Sequence, residues 1–286
     1  MPASQGAFGS RSVRTADSEG LRIAYDDAGR GSPAVVLIHG SFGNRTHYAA
    51  QFEHLARRHR VVALDLRGHG ESEIPPSGFG MRDFAQDVIA VCEAAGIDRA
   101  VVCSHSWPLA LEVAAIRPDL AAGVVLLDGL VLLPETSLKE ALANLVPALE
   151  GDSWLAALQG YFGRMFGPYD PPELRTRVMR ELGDAPSHMA APLFRDLMSS
   201  DYADELEASS APLMYIHARI PADLTRLRAL RPDVWLGSVV GSGHYMALAV
   251  PDQVNAMLDR FLDVGVSSAI SRMRRMDSTD ANPSKS

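Results

Sequence analysis

The 286-residue sequence predicts an α/β fold, a mostly parallel sheet flanked by helices with one inserted helical cap. Three observations predict it. Short Val/Ile/Leu-rich runs recur without polar alternation, as strands buried on both faces require. Apolar residues at helical spacing separate most of these runs. Between Leu130 and Ala211 the strand signals stop and only helical patterns remain.

Segments 12–18 and 21–27 mix polar and apolar residues around Gly20 and predict an antiparallel hairpin at the sheet edge. The buried strands are "AVVLIHG" (34–40), "RVVALDL" (60–66), "RAVVCSH" (99–105), "AGVVLLDG" (122–129) and "PLMYIHA" (212–218). Tyr48, Phe52 and Leu55 share one face of a helix over 46–59, and Phe84, Val88 and Val91 do so over 81–95. The insertion predicts helices near 137–149, 153–166, 171–182 and 187–206. Its Trp154, Tyr161, Phe162, Phe166, Met179, Met189, Phe194 and Met198 exceed what a crossover helix needs. Most are expected to pack the cap, and a few to line an apolar pocket. A last amphipathic helix places Val254, Met257, Leu258 and Phe261 toward the core.

The expected organisation is a flexible start over 1–11, a core over 12–130 and 211–265, a cap over 131–210, and a flexible tail over 266–286 in which Arg272, Arg274 and Arg275 cluster. A hydrophobic content of 47% allows a large core, and a net charge of −8 argues against nucleic-acid binding. Cys92 and Cys103 fall in a helix and a strand and are expected as buried thiols in a reducing compartment. No apolar run suits a signal-peptide core or a membrane span, so a cytoplasmic protein with no membrane partner is expected. Self-association as a homodimer stays open.

The chemistry concentrates on a corner. "VVCSHSWPLALEVA" (101–114) reads as a strand that stops at Ser106 and restarts as a helix. A serine there exposes its hydroxyl above the sheet, where the next backbone N–H can face a developing oxyanion. A hydroxyl is a weak nucleophile and needs a base, and the base needs an orienting group.

The order of "LIHGSFG" (37–43), "LDLRGHGES" (64–72), "CSHSWP" (103–108) and "GSGHYMALAVPDQV" (241–254) resembles the α/β-hydrolase fold family over about residues 20–263. The family's GxSxG elbow is here Ser104, His105, Ser106, Trp107 and Pro108, so Pro108 puts a rigid ring where a glycine is usual. The resemblance implies a catalytic Ser106 and His244, with Trp107 and Ser41 supplying oxyanion-hole N–H groups and Phe42 as an alternative donor. Relatives usually place the acid after the strand that follows the cap, where this chain has Arg219, Ile220 and Pro221. Asp128, at the end of the pre-cap strand, is the expected acid. Asp223 opens a helical run and is expected as its N-cap, though it is the alternative acid. His39, His69 and His105 are expected to structure loops, and Asp65 to support the "RGHGES" turn.

No HExxH or paired CxxC motif occurs, and the glycine-rich turns lack a phosphate-loop lysine, so neither metal nor cofactor is expected. Serine in place of aspartate at the elbow disfavours alkyl-enzyme chemistry. The leading expectation is a serine hydrolase cleaving an ester, lactone, thioester or activated ketone of a small hydrophobic or aromatic substrate. The "SHS" elbow and the pre-cap acid also resemble cofactor-free dioxygenases acting on hydroxy-oxoquinolines, although no histidine closely follows the "HG" pair. A binding protein built on the same scaffold is the third expectation.

Overall fold

The computed structural model describes residues 13–271, so the expectations for the first residues and for the Arg272, Arg274 and Arg275 cluster lie outside the described residues. Eight strands form one sheet: β1 (Arg14–Ser18), β2 (Leu21–Ala28), β3 (Ala34–Ile38), β4 (Val61–Leu64), β5 (Ala100–His105), β6 (Ala121–Leu127), β7 (Leu213–His217) and β8 (Trp235–Ser238). Their spatial order is β1-β2-β4-β3-β5-β6-β7-β8. β1 and β2 make the antiparallel edge hairpin, with Ser18 opposite Leu21, and every pair from β4 through β8 is parallel.

The central strands read as unbroken apolar runs because successive side chains enter two different cores. Ala34, Val36 and Ile38 of β3 join one cluster, with α2 (Met81–Ala94) and α3 (Leu109–Ile116). Val35 and Leu37 join the other, with α1 (Ala49–Leu55) and α12 (Pro251–Arg260). Val101 and Cys103 follow the second pattern, and Cys92 and Cys103 are both buried free thiols.

Between β6 and β7 the chain forms α4 (Glu135–Glu140), α5 (Val146–Glu150), α6 (Trp154–Gly163), α7 (Pro172–Glu181), α8 (Ser187–Leu197) and α9 (Ala203–Ala208). Short helices α10 (Leu224–Leu230) and α11 (Met246–Ala249) follow β7 and β8. Two expectations are adjusted. The helix expected over 187–206 breaks after Leu197, because the Asp201 carbonyl accepts from Leu132 N–H at 2.9 Å and Tyr202 adopts a left-handed φ of 60°. The tail expected to be flexible over 266–286 begins as helix as far as Ser271, since Phe261, Leu262 and Val266 are buried against the sheet and Ile270 packs beside them. Among the described residues no helix is long and apolar enough to cross a membrane.

β4 and β5 flank β3 on opposite sides, so the loops after β3 and β5 meet at the carboxyl edge of the sheet, where sheets of this kind bind ligands. The neighbouring β4 loop is anchored by Arg67, whose Nε and Nη2 donate to Asp87 of α2 at 3.0 and 2.7 Å while its N–H donates at 3.0 Å. Asp87 is fully buried. Removing one member of such a pair strands the other charge. Asp87→Ala is expected to lower stability by about 3–5 kcal/mol, read as a lower urea midpoint.

Candidate active site

Strand ends supply the site. β5 runs into Ser106, whose φ of 66° is left-handed, and β6 runs into Asp128, whose φ of 47° is also left-handed. Non-glycine residues rarely hold that conformation, so neighbouring bonds must enforce it. Ser106 N–H donates to the Leu127 carbonyl at 3.0 Å, and the Ser106 carbonyl accepts from Leu130 N–H at 2.8 Å. Asp128 N–H donates to the Ile216 carbonyl at 2.8 Å. The turn at Ser106 is thus stapled to the end of β6 and to the loop beyond it.

The departures from the usual elbow compensate each other. Pro108 precedes the helix, and its carbonyl accepts from Leu111 N–H at 2.8 Å to open α3. Its missing N–H therefore costs no intrahelical bond. Ser104 Oγ donates to the Trp107 carbonyl at 2.8 Å and accepts from Ala110 N–H at 3.2 Å, so the hydroxyl in place of a glycine caps the helix start. Trp107 is fully buried, 4.8 Å from the Phe84 ring, and its indole N–H donates to Ser41 Oγ. Its side chain is a core residue that also holds the "HG" loop.

That loop lies directly on the elbow. A Cβ on Gly40 would stand 3.0 Å from Ser106 Cβ and 2.8 Å from His105 Nδ1, so only glycine permits the approach. Of the proposed oxyanion donors, Ser41 N–H has no acceptor among the described residues, whereas Trp107 N–H closes onto the His105 carbonyl at 2.6 Å. Phe42 N–H is taken by His69 Nε2 at 3.2 Å.

The structure brings His244 and Asp128 together: His244 Nδ1 donates to Asp128 Oδ2 at 2.8 Å. Asp128 also accepts from the N–H groups of Ala218 at 2.8 Å, Arg219 at 2.9 Å and Ile220 at 3.1 Å. Burial pushes its pKa up, but the His244 bond and these amides outweigh it and hold the carboxyl below its ordinary value. The loop where relatives carry the acid here supplies amides to an acid from the neighbouring strand. Asp223 caps α10, accepting from Thr225 and Arg226 N–H at 3.1 and 2.9 Å. Ser106 and His244 are 3% and 1% exposed, and no hydrogen bond joins their side chains among the described residues.

His244 is held from two further directions. Its N–H donates to the Met165 carbonyl of the inserted segment at 2.9 Å. Its carbonyl accepts from His105 Nε2 at 2.8 Å, and the two rings lie 4.3 Å apart. Gly243 N–H donates to Asp170 Oδ1 at 3.0 Å, and a Cβ at Gly243 would collide with the backbone at Gly167 and Met165.

A model of the α/β-hydrolase fold family matches residues 33–165. A thermophilic esterase from Thermogutta terrifontis superposes with a TM-score of 0.77 at 22% identity, covering 88% of this chain and 98% of that one. The chain has the α/β-hydrolase fold. A 2-(acetamidomethylene)succinate hydrolase from Mesorhizobium japonicum is 26% identical over 85% of this chain and 92% of its own length. A 2-heptyl-3-hydroxy-4-quinolone dioxygenase from Rhodococcus erythropolis is 30% identical over 52% of this chain and 53% of its own.

Within this fold, His39 Nδ1 donates to the Gly40 carbonyl and Nε2 accepts from Leu66 N–H, at 2.8 and 3.1 Å. His69 Nδ1 likewise donates to the Arg67 carbonyl at 2.8 Å while Nε2 holds Phe42. Asp65 accepts from Glu71 N–H at 2.9 Å and from the Arg45 guanidinium, supporting the turn. Sequence reasoning missed the capping by Ser104, the hold of His105 on His244 and the reach of Asp170 to Gly243. Only Ser104 carried a local signal, a hydroxyl next to an expected helix start.

Two outcomes follow from these bonds. Ser104→Gly restores the usual motif yet strips a buried N–H and a buried carbonyl of a partner, so stability is expected to fall by about 1–3 kcal/mol in urea titration. Burial lowers the pKa of both His39 and His69 from 6.5 to about 3. The unfolded chain therefore binds more protons below pH 6.5, and stability falls as pH drops toward 3 and is flat above that window for these groups. Unfolding free energies from urea titrations at pH 7 and 5 should differ by about 2 kcal/mol per ring.

Proposed function

We propose that this chain is a serine hydrolase acting on an ester, lactone, thioester or activated ketone of a small hydrophobic or aromatic substrate. The carrying observation is the buried Asp128–His244 bond of 2.8 Å beside a serine held at a left-handed elbow. With Nδ1 donating to Asp128, Nε2 of His244 is the nitrogen left to act as base. In this reading Nε2 takes the Ser106 proton as Oγ attacks the acyl carbon. The new oxyanion is received by Ser41 N–H and by Trp107 N–H, which turns from the His105 carbonyl. His244 then protonates the leaving group, and a water attacks the acyl-enzyme by the reverse steps.

The preference for an apolar group rests on the aromatic wall formed by the cap against the "HG" loop. Phe42 stacks on Phe194 at 6.2 Å and meets Phe162 edge-on at 5.9 Å, and Tyr161 meets Phe194 at 5.2 Å. Such a wall favours apolar or aromatic groups over sugars and phosphates.

A second reading, cofactor-free ring cleavage of a hydroxy-oxoquinoline with His244 as base, is supported by the Rhodococcus relative and by the lack, among the described residues, of a hydrogen bond between the Ser106 and His244 side chains. The serine separates the two. The wild type is expected to take up a fluorophosphonate on Ser106 and to hydrolyse 4-nitrophenyl acetate. Ser106→Ala should abolish labelling and cut turnover by at least about a thousandfold. A Ser106→Ala variant that keeps its turnover, together with oxygen uptake on a 3-hydroxy-4-quinolone, would move the assignment to the dioxygenase.

A further inference from the structure

We infer that the hydroxyl of Tyr245 is a substrate-binding donor that recognises a second, neutral carbonyl oxygen of the substrate, apart from the carbonyl attacked. The inference rests on the acyl-hydrolysis reading for its kinetic test but not for its binding test.

Tyr245 is 4% exposed, and its hydroxyl has no hydrogen-bond partner among the described residues. Buried phenols nearly always find a partner, because an unmet donor forfeits its hydration for nothing in return. A donor left unmet in the free protein is open to a partner that arrives later. Its location supports that role. Tyr245 follows His244 directly, with its ring 5.3 Å from the His244 ring and 5.8 Å from that of His105. Its other side stacks on Phe166 of the cap loop at 4.8 Å. The phenol therefore sits at the seam between core and cap, against the proposed base.

The neighbouring charges choose the kind of oxygen. After burial, the Glu181 carboxylate and Tyr161 are the next causes that raise the Tyr245 pKa, so the phenol stays protonated and donates. Glu181 is not its acceptor, because the Tyr245 hydroxyl makes no hydrogen bond, and the carboxylate is turned to other partners: Oε2 accepts from His47 Nε2 at 2.6 Å and Oε1 from Arg177 Nε at 2.8 Å. Burial pushes the Glu181 pKa up, but these bonds pull it down to about 2, so it is ionised. An anionic acceptor beside Tyr245 would meet that charge, whereas an amide, ester or ring carbonyl would not. The substrate class is thus an ester or lactone carrying an additional uncharged carbonyl.

The test pairs 4-nitrophenyl esters of N-acetylglycine, N-acetyl-β-alanine and N-acetyl-γ-aminobutyrate with the length-matched pentanoate, hexanoate and heptanoate. Wild type is expected to favour at least one acetamido ester over its hydrocarbon match through a lower KM. Tyr245→Phe should reduce that preference about three- to tenfold, the worth of one neutral hydrogen bond. The thermal midpoint of free Tyr245→Phe should equal or exceed that of wild type, because the lost hydroxyl had no partner. The corresponding 4-nitroanilides, titrated calorimetrically against Ser106→Ala and Ser106→Ala/Tyr245→Phe, report the same preference as a ratio of Kd values without turnover. If no ester is hydrolysed, the acyl-hydrolysis reading fails and the anilide ratio alone decides Tyr245. The proposal is overturned by a preference that survives in Tyr245→Phe, by no preference or no binding for any pair, or by a clear drop in the midpoint of the free variant.

Discussion

The carboxylate of Asp128 is the constraint on which the carboxyl edge of the sheet depends. An ionised carboxyl buried without partners would cost several kcal/mol, so its oxygens must be saturated. Three consecutive N–H groups at the end of β7 and the His244 imidazole do this. One side chain therefore ties the end of β6 to the end of β7 and to the loop after β8. The first residues of the loop beyond β7 thus give their amides to a carboxylate from the neighbouring strand.

The same economy governs the elbow. A serine at positive φ between β5 and α3 is strained, and its surroundings lack the two glycines that would ordinarily relieve crowding. Relief comes from three places. Gly40 of the facing loop leaves room for Ser106 and His105, Ser104 bonds the first turn of α3, and Pro108 occupies a position where its ring displaces no hydrogen bond. The buried imidazoles of His39, His69 and His105 work as neutral connectors between loops, each giving one ring proton to a backbone carbonyl. Neutral rings suit this task because burial penalises the charged form.

Much of this was legible in the residues. Doubly buried strands announce themselves as runs such as "VVLI" and "GVVLL", and the edge hairpin followed from mixed polarity around Gly20, since burial pattern is a local property of sequence. The corner at Ser106, the loop histidine His244 and the capping role of Asp223 were likewise local: each is set by a strand end, a glycine loop or a helix start. The break after Leu197 was not legible, because the carbonyl of Asp201 finds its donor on Leu132, far away in the chain. The helix beyond Val266 was missed because its polar composition conceals a single packing residue, the half-buried Ile270 beside Val266.

The sequence by itself determined the order of elements, the position of the serine corner and the apolar character of the inserted segment, all of which arise from periodicity and turn chemistry within short windows. Tertiary structure alone decided which aspartate meets His244, which amides remain open beside Ser106, and that Asp170 and Met165 of the insertion grip the loop carrying His244. The physical reason is reach. A hydrogen bond is satisfied or lost within a few tenths of an ångström, and residues separated by most of the chain acquire that proximity only when the sheet and the inserted helices pack.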